Sequence, residues 1–384
     1  MEARARRWLA FSVALGLSIA GTLGIWLVGA PAAGVSPAKL PDLDQLVPTE
    51  ISVTAVPSTE PRFSLAFDSR IGNGRSASVG PLIVRGRRAG LSEPMVAEQA
   101  LMNANGSETI RPAIGGLTYE TSIDHAHWHY DDFDRYQLRR ASDMSFVRPD
   151  NKTGFCMPDH LFTPDYCGSS NPNALEVREG LGRGYVDLYK ANLEGQNIDV
   201  TGVPAGTYYL VHWANRDSSL CESNILNNVS ATKLRLWPRG YGRAPYFRAL
   251  EEVDTLPPPE RQPRPSNCPL ERKKPKVRVQ FPRRQNVKRN KGIVAYARCS
   301  ESCGVATTGR ARVGGRAQKL IASQALGGKG RRIKALLPTT SASQRAILRS
   351  LRKGRPVSVK LTIRVRDRAG NDARPVRRTV IVLP

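Results

Sequence analysis

The clearest pattern of apolar and polar positions lies near the end of the chain. Between Pro356 and Arg366 the two kinds of residue alternate without interruption, and a period of two is typical of a strand with one buried face. The segment Asp367–Asn371 is rich in turn-forming residues, and a second apolar run, Val376–Leu383, follows it. This pattern predicts a half-buried β-hairpin.

The rest of the C-terminal region fits the same kind of structure. Two further runs, Val277–Phe281 and Ile293–Arg298, have the length and composition of strands. The segment Ser341–Lys353 instead places apolar residues among arginines at helical spacing and ends at Gly354, as an amphipathic helix does. We predict a small immunoglobulin-like β-sandwich with one helix over residues 276–384.

Short apolar runs also dominate the chain before residue 239. None shows a sustained helical period, and all are bounded by Gly, Pro, Asn or Asp. The clearest are Phe63–Phe67, Pro81–Arg85, Tyr185–Tyr189 and Thr207–Trp213. The connections are long, notably from Ser142 to Leu175, which is typical of functional loops on a sheet scaffold. The predicted fold class is all-β, with a first β-sandwich carrying long functional loops and a second, small one.

Residues 1–34 have the features of an export signal. An arginine-rich start is followed by the uncharged apolar run Trp8–Val28 and by the small-residue pattern Ala30-Pro31-Ala32. The apolar run is also just long enough to span a bilayer. The segment is therefore either a cleaved signal peptide or an N-terminal membrane anchor, and both predict a protein that acts outside the cytoplasm, secreted or anchored.

Export implies an oxidising environment, in which cysteines are more often bridged than free. The chain has six: Cys156, Cys167, Cys221, Cys268, Cys299 and Cys303. Spacing favours a bridge between Cys299 and Cys303, and next a bridge between Cys156 and Cys167. The remaining two either pair with each other or stay free. The pattern Cys299-Ser-Glu-Ser-Cys303 also resembles that of small exported β-sandwich modules from high-GC Gram-positive bacteria.

Charge divides the chain into two regions. The net charge is +25, and the positive excess lies wholly after residue 254, where lysine and arginine far outnumber aspartate and glutamate. A proline-rich stretch around Leu256–Pro265 predicts a linker, which we place at residues 239–275. The basic tail is expected to attract an anionic cell wall or membrane, or to be only a soluble charged surface. Specific nucleic-acid binding is not expected, because no reading helix or aromatic platform is present.

The strongest candidate for chemistry is the stretch Asp124–Phe133, which holds three of the five histidines. On an extended backbone His125, His127 and His129 project to one side. Their outer Cα atoms would be roughly 13 Å apart, so the segment should bend for all three imidazoles to reach one ion. The pattern predicts a metal site, although imidazole suits zinc, copper, iron and nickel alike. The alternative is a solvated strand face that happens to carry histidines.

Other segments complete an ordered set around these histidines. They are Leu40–Leu43, Leu65–Phe67, Asn151–Asp159, Gly184–Thr201, Glu222–Asn224 and Asn227-Asn228. In this order the chain resembles the lysyl oxidase family, as a bacterial member, over residues 40–238. It departs from the animal members at Ser122–Asp124, where they have further cysteines and a second tryptophan.

The resemblance implies a copper enzyme with a quinone made from its own side chains. In that family the histidine triplet binds copper, and a lysine and a tyrosine are cross-linked into lysyl tyrosylquinone; by position these are Lys152 and Tyr189. Copper with dioxygen can oxidise a phenol, whereas zinc has no redox chemistry. The lysine should lie in a desolvated pocket that lowers its pKa and makes it nucleophilic.

The implied reaction oxidises a primary amine, either a lysine side chain of a protein or a small amine, to an aldehyde with dioxygen as the acceptor. Asp187 is the first candidate for the base, because strand geometry places it on the same face as Tyr189; it could equally be a structural carboxylate. Asp131 or Asp132 could orient a ligand histidine. His160 and His212 are expected to be packing or surface residues. The rival hypothesis is a non-catalytic exported copper-binding or cell-surface binding protein.

Overall fold

The structure is a computed structural model, and it describes residues 38–121, 126–150, 154–157, 169–193, 195–254, 256 and 262–383. The predicted signal or anchor, residues 1–34, lies outside these ranges. Within them, no helix has the length and apolar character needed to cross a membrane.

The first part of the chain is built from short antiparallel strands. They are β1 (Leu43–Gln45), β2 (Thr49–Val56), β3 (Arg62–Asn73), β4 (Leu82–Arg87), β5 (Met95–Met102), β6 (Glu108–Glu120), β7 (His127–Asp131), β8 (Asp134–Arg140), β9 (Phe146–Pro149), β10 (Gly154–Phe155), β11 (Glu176–Leu181), β12 (Val186–Tyr189), β13 (Asn197–Asp199), β14 (Gly206–Ala214), β15 (Val229–Trp237) and β16 (Tyr246–Val253). A short 3-10 turn, Ile225–Asn227, precedes β15.

These strands form three sheets. One is arranged around β3, which pairs with β1, β2, β12 and β13. A second has the order β10-β7-β6-β5-β4-β11, and a third the order β16-β15-β14-β8-β9. The long strand β3 contributes to two hydrophobic cores, because Leu65 and Phe67 pack with Tyr208 in one and Ile71 packs with Tyr189 in the other. The cores therefore join the sheet around β3 to both of its neighbours.

The tail forms a second sandwich. Its elements are β17 (Val277–Gln280), α1 (Val287–Asn290), β18 (Gly292–Cys299), β19 (Cys303–Val313), β20 (Arg316–Lys319), β21 (Ser323–Gly327), β22 (Ile333–Pro338), α2 (Ser341–Arg352), β23 (Val357–Asp367) and β24 (Val376–Val382). One sheet has the order β17-β18-β22, and the other has the order β20-β19-β23-β24 with β21 also paired to β19. Ile293, Val359 and Ile347 meet in the core between the sheets and α2.

The all-β prediction is confirmed, and the observed strands lie close to the segments chosen from the sequence. The predicted hairpin is β23 and β24, and the predicted helix is α2. The tail also contains the single helical turn α1, so it has two helices and not one. Thr340 caps the N-terminus of α2, because its hydroxyl accepts a hydrogen bond from the Ser343 backbone N–H at 3.0 Å.

The segment predicted as a linker, residues 239–275, differs most from expectation. Its residues Tyr246–Val253 form β16, which pairs with β15 at the edge of a sheet. Most side chains of β16 are exposed, so burial left no alternation for a sequence pattern to show. Farther on, Gln262 is buried and donates a hydrogen bond to the Asn215 carbonyl at 2.9 Å. The segment is therefore bound to the first part and does not act as a free spacer.

Two disulfides are present among the described residues. Cys299 pairs with Cys303, as predicted, and Cys221 pairs with Cys268, which resolves the pair that spacing left open. The second bridge fixes the proline-rich segment to the first part of the chain. The predicted bridge between Cys156 and Cys167 stays a prediction, because Cys167 lies outside the described residues.

Candidate active site

Strand β7 carries two of the three histidines on one face. The Nε2 atoms of His127 and His129 are 2.9 Å apart, and the ring centroids are 4.8 Å apart. His129 is buried, and His127 is partly exposed. Trp128 and Tyr130 alternate with them and pack into the core on the opposite face. His125 lies outside the described residues, so only two of the predicted ligands can be located.

The two located imidazoles fit a transition metal. Metal–nitrogen bonds are about 2.0 Å long, so two Nε2 atoms at 2.9 Å can both bind one ion between them. Nitrogen donors of this kind suit copper, zinc, iron and nickel. The donor set is therefore compatible with copper but does not by itself select it.

Neighbouring strands place polar groups beside the histidines. On β6, Thr118 is directly opposite His129, and Glu120 is directly opposite His127. The Thr118 hydroxyl donates a hydrogen bond to Asp131 at 3.2 Å. Burial raises the pKa of Asp131 to about 6. Asp132, the other candidate for orienting a histidine, instead forms an ion pair with Arg135 at 2.8 Å.

Strand β10 lies on the other side of the histidine strand. Gly154 is opposite Asp131, and Phe155 is opposite Tyr130. A Cβ atom at Gly154 would lie only 2.7 Å from the Cβ of His129, so a side chain cannot be accommodated there without a shift. Glycine thus allows the chain that follows Lys152 to pass against the histidines. Lys152 itself lies outside the described residues.

The backbone of Cys156 holds the phenol of Tyr189. The Tyr189 hydroxyl donates a hydrogen bond to the Cys156 carbonyl at 3.0 Å and accepts one from the Cys156 amide at 2.6 Å. Phe155 stacks on the Tyr189 ring with centroids 3.8 Å apart and planes inclined by 28°. The structure therefore brings Tyr189 to a segment that starts two residues after Lys152 and pairs with the histidine strand.

Asp187 lies on the same buried face of β12 as Tyr189. Along this strand exposed and buried residues alternate, and Val186 and Leu188 are on the exposed face. Asp187 is opposite Ile71 on β3, and Tyr189 is opposite Ser69. The two side chains therefore share the buried face of β12, as strand geometry indicated, and the role of Asp187 as base stays a prediction.

His212 is a packing residue. It is fully buried and lies against the rings of Phe67 and Tyr136, with centroids 4.9 and 4.5 Å away. Burial lowers the pKa of His212 to about 3, so the ring is neutral. This position agrees with the expectation that His212 is a packing or surface residue, whereas His160 lies outside the described residues.

The sequence pattern assigned no role to Glu222, although this residue belongs to the ordered set. Its carboxylate is fully buried and accepts hydrogen bonds from Asn215 at 2.5 Å and from Asn228 at 2.6 Å. Asn227 donates to Asp42 at 3.1 Å. The first and last motifs of the set therefore meet in space, which only the folded chain reveals.

Comparison with known proteins agrees with this arrangement. Residues 94–239 match the family model described as lysyl oxidase. Over this segment the chain is similar to lysyl oxidases. The match contains the histidine strand, the Phe155–Cys156 segment and Tyr189, and it ends before β16.

Individual lysyl oxidase relatives cover about a third of the chain. Lysyl oxidase homolog 1 from Homo sapiens is 33% identical over 113 residues, which is 29% of this chain and 19% of that protein. Protein-lysine 6-oxidase from Sus scrofa is 30% identical over 131 residues, which is 34% of this chain and 52% of that protein. Lysyl oxidase homolog 2 from Bos taurus is 27% identical over 132 residues, 34% of this chain and 17% of that protein. The matched segment spans about half or less of each relative.

Proposed function

We propose that this protein is a copper-dependent amine oxidase with a lysyl tyrosylquinone cofactor made from Lys152 and Tyr189. The reaction would convert a primary amine, dioxygen and water into an aldehyde, ammonia and hydrogen peroxide. One observation supports it most. The strand that carries the paired imidazoles also pairs with the segment whose backbone holds the Tyr189 phenol.

His125, His127 and His129 would hold the metal. Copper bound there would supply, with dioxygen, the redox chemistry that turns a phenol into a quinone. The chain's own groups position that phenol, because the Cys156 amide and carbonyl fix its oxygen while Phe155 covers one ring face. The amine of Lys152 would form the covalent bond to the ring.

Asp187 is the proposed base that removes the α-proton of the bound substrate. It lies on the buried face of β12 with Tyr189, and a carboxylate held near a reacting carbon is a common general base. Lysine side chains and small amines are the proposed substrates. The two disulfides support a proposal that the protein works outside the cytoplasm.

The test is to load the purified full-length protein with copper in air and to measure quinone absorbance and amine-dependent peroxide release. We expect both in the wild type. Tyr189→Phe and Lys152→Arg should lose both signals, because each removes one partner of the cross-link. Tyr185→Phe is the matched control, since Tyr185 lies just before the same strand and is half exposed.

The variant Asp187→Asn distinguishes a role in proton removal from a role in forming the quinone. It should keep the quinone band and lower the rate by about a hundredfold or more. A wild-type protein that binds copper tightly, stays colourless and is inert to amines would contradict the proposal. That result would favour the rival, a non-catalytic copper-binding or cell-surface binding protein.

A further inference from the structure

The outer face of the larger tail sheet is strongly basic. On β23 the inward residues Val359, Leu361 and Ile363 are buried. Lys360 and Arg364 point to the opposite face of the sheet and are exposed. The same alternation on the neighbouring strands exposes further cations. We define the basic face as Arg310, Arg312, Lys319, Lys360, Arg364 and Arg377.

Strand register brings three of these cations side by side. Arg310 on β19 is directly opposite Lys319 on β20 and directly opposite Lys360 on β23. Adjacent strands are about 4.8 Å apart, and like charges at directly opposite positions destabilise a sheet. The fold therefore holds a row of cations that an anion would stabilise.

Acidic residues neutralise the positive charge only at the edges of the basic face. Lys319 forms an ion pair with Asp143 of the first part of the chain at 2.7 Å, and Arg366 at the end of β23 pairs with Asp372 at 2.8 Å. Across the described ranges, the other five members of the basic face have no carboxylate partner. The centre of the face is thus cationic and accessible.

We propose that the basic face binds a linear phosphate polymer. Its cations are one strand apart in one direction. Along the strands, Arg310 and Arg312 are two residues apart on β19, about 7 Å, and Lys360 and Arg364 are four residues apart on β23, about 13 Å. Arginine matches phosphate oxygens with paired donors, and the interspersed hydroxyls of Thr308 and Thr362 supply further donors. This binding is independent of the proposed oxidase activity.

The composition of the face argues against two other polyanions. Single-stranded nucleic acid is usually held by stacking on aromatic rings, and the described outer positions of β19, β20, β23 and β24 carry none. Membrane surfaces are bound more strongly when apolar side chains insert. Here the described strands of the sheet expose only two large aliphatic residues on this face, Ile381 on β24 and Leu326 on β21 at the sheet edge. A flexible polymer without bases fits the surface better than either.

The experiment measures binding of fluorescently labelled long-chain inorganic polyphosphate to the full-length protein at several salt concentrations. The triple variant Arg310→Gln, Lys360→Gln, Arg364→Gln should bind at least about tenfold more weakly at low salt. The slope of log affinity against log salt should shrink by about two, because fewer counterions are released. The matched control removes the same charge from the exposed arginines of α2, as Arg345→Gln, Arg349→Gln, Arg352→Gln, and should bind nearly as wild type.

Equal loss in the two triple variants would overturn the proposal, because binding would then depend on total charge alone. Tighter binding of the wild type to phosphatidylglycerol-containing vesicles than to polyphosphate, compared at equal concentrations of phosphate groups, would also overturn the proposal. Melting temperatures check folding, and the face variant should not melt lower than wild type since it removes repulsion. The single variant Lys360→Gln, at an exposed position, should also bind polyphosphate more weakly than the wild type, but with a smaller loss of affinity than the triple variant.

Discussion

Two buried titratable residues near the centre of the first part have opposite pKa shifts. Burial raises the pKa of Asp134 to about 7 and lowers the pKa of His212 to about 3. Ser69 links them, because its hydroxyl donates to Asp134 at 3.0 Å and lies 3.3 Å from Nδ1 of His212. Between about pH 4 and pH 6.5 the folded pair holds its proton on the carboxyl, and the unfolded pair holds it on the imidazole. The pair therefore contributes little net pH dependence in that range.

Replacing either residue should reveal the pH dependence of stability that the other residue contributes. In Asp134→Asn the unfolded state alone gains a proton on His212, so the free energy of unfolding should fall as pH drops from about 6.5 to about 4. In His212→Gln the folded state alone keeps a proton on Asp134, so the free energy of unfolding should fall as pH rises from about 4 to about 7. The slope in each case is at most about 1.4 kcal/mol per pH unit.

Urea unfolding at about pH 4.5 and about pH 6.5 measures both slopes, and each variant is the control for the other. Slopes of opposite sign relative to wild type are expected. Two variants that follow the wild-type pH dependence would show that the Asp134–Ser69–His212 group does not hold these protonation states.

At the scale of elements, the short pairing of β10 with β7 positions the candidate site. This pairing depends on Gly154, since a Cβ there would overlap His129. Gly154→Ala should lower the free energy of unfolding by about 1–3 kcal/mol and weaken copper binding by displacing His129. Gly90→Ala is the control, because nothing lies within 4 Å of a Cβ at that position, and it should change stability by less than about 0.5 kcal/mol.

Chemical unfolding and copper titration against a competing chelator measure these two effects. If Gly154→Ala is as stable as Gly90→Ala and binds copper equally well, the result would contradict a close approach of β10 to the histidine strand.

Sequence patterns predicted local structure well where burial imposed a period. The alternation from Pro356 to Arg366 matches β23, and alternation also placed Asp187 and Tyr189 on one face of β12. Strand β16 gave no such signal, because its side chains are mostly exposed and backbone pairing with β15 holds it.

Contacts between distant segments could not be derived in this way. The hydrogen bonds between Cys156 and Tyr189 join positions 33 residues apart, and the Cys221–Cys268 disulfide joins positions 47 residues apart. Pattern arguments assign a face to each strand, but they do not say which strands become neighbours. Phe155 was accordingly missed as a site residue, although it lies within the segment that carries the family resemblance.

At the scale of the whole molecule, the two sandwiches belong to one compact unit, Ser36–Pro384. The Cys221–Cys268 bridge connects the predicted linker to the first part of the chain, and the ion pair between Lys319 and Asp143 connects the tail to it. Net charge separates the two, since the tail carries the positive excess. The phosphate binding proposed above belongs to the tail, and the proposed amine oxidation belongs to the first part of the chain.

The most direct test of this account is peptide mapping by mass spectrometry after the full-length protein has been loaded with copper in air. The account predicts one covalently linked species joining the peptide that contains Lys152 to the peptide that contains Tyr189, absent from copper-free protein and from Tyr189→Phe. Recovery of both peptides unlinked from protein that has bound copper would contradict it.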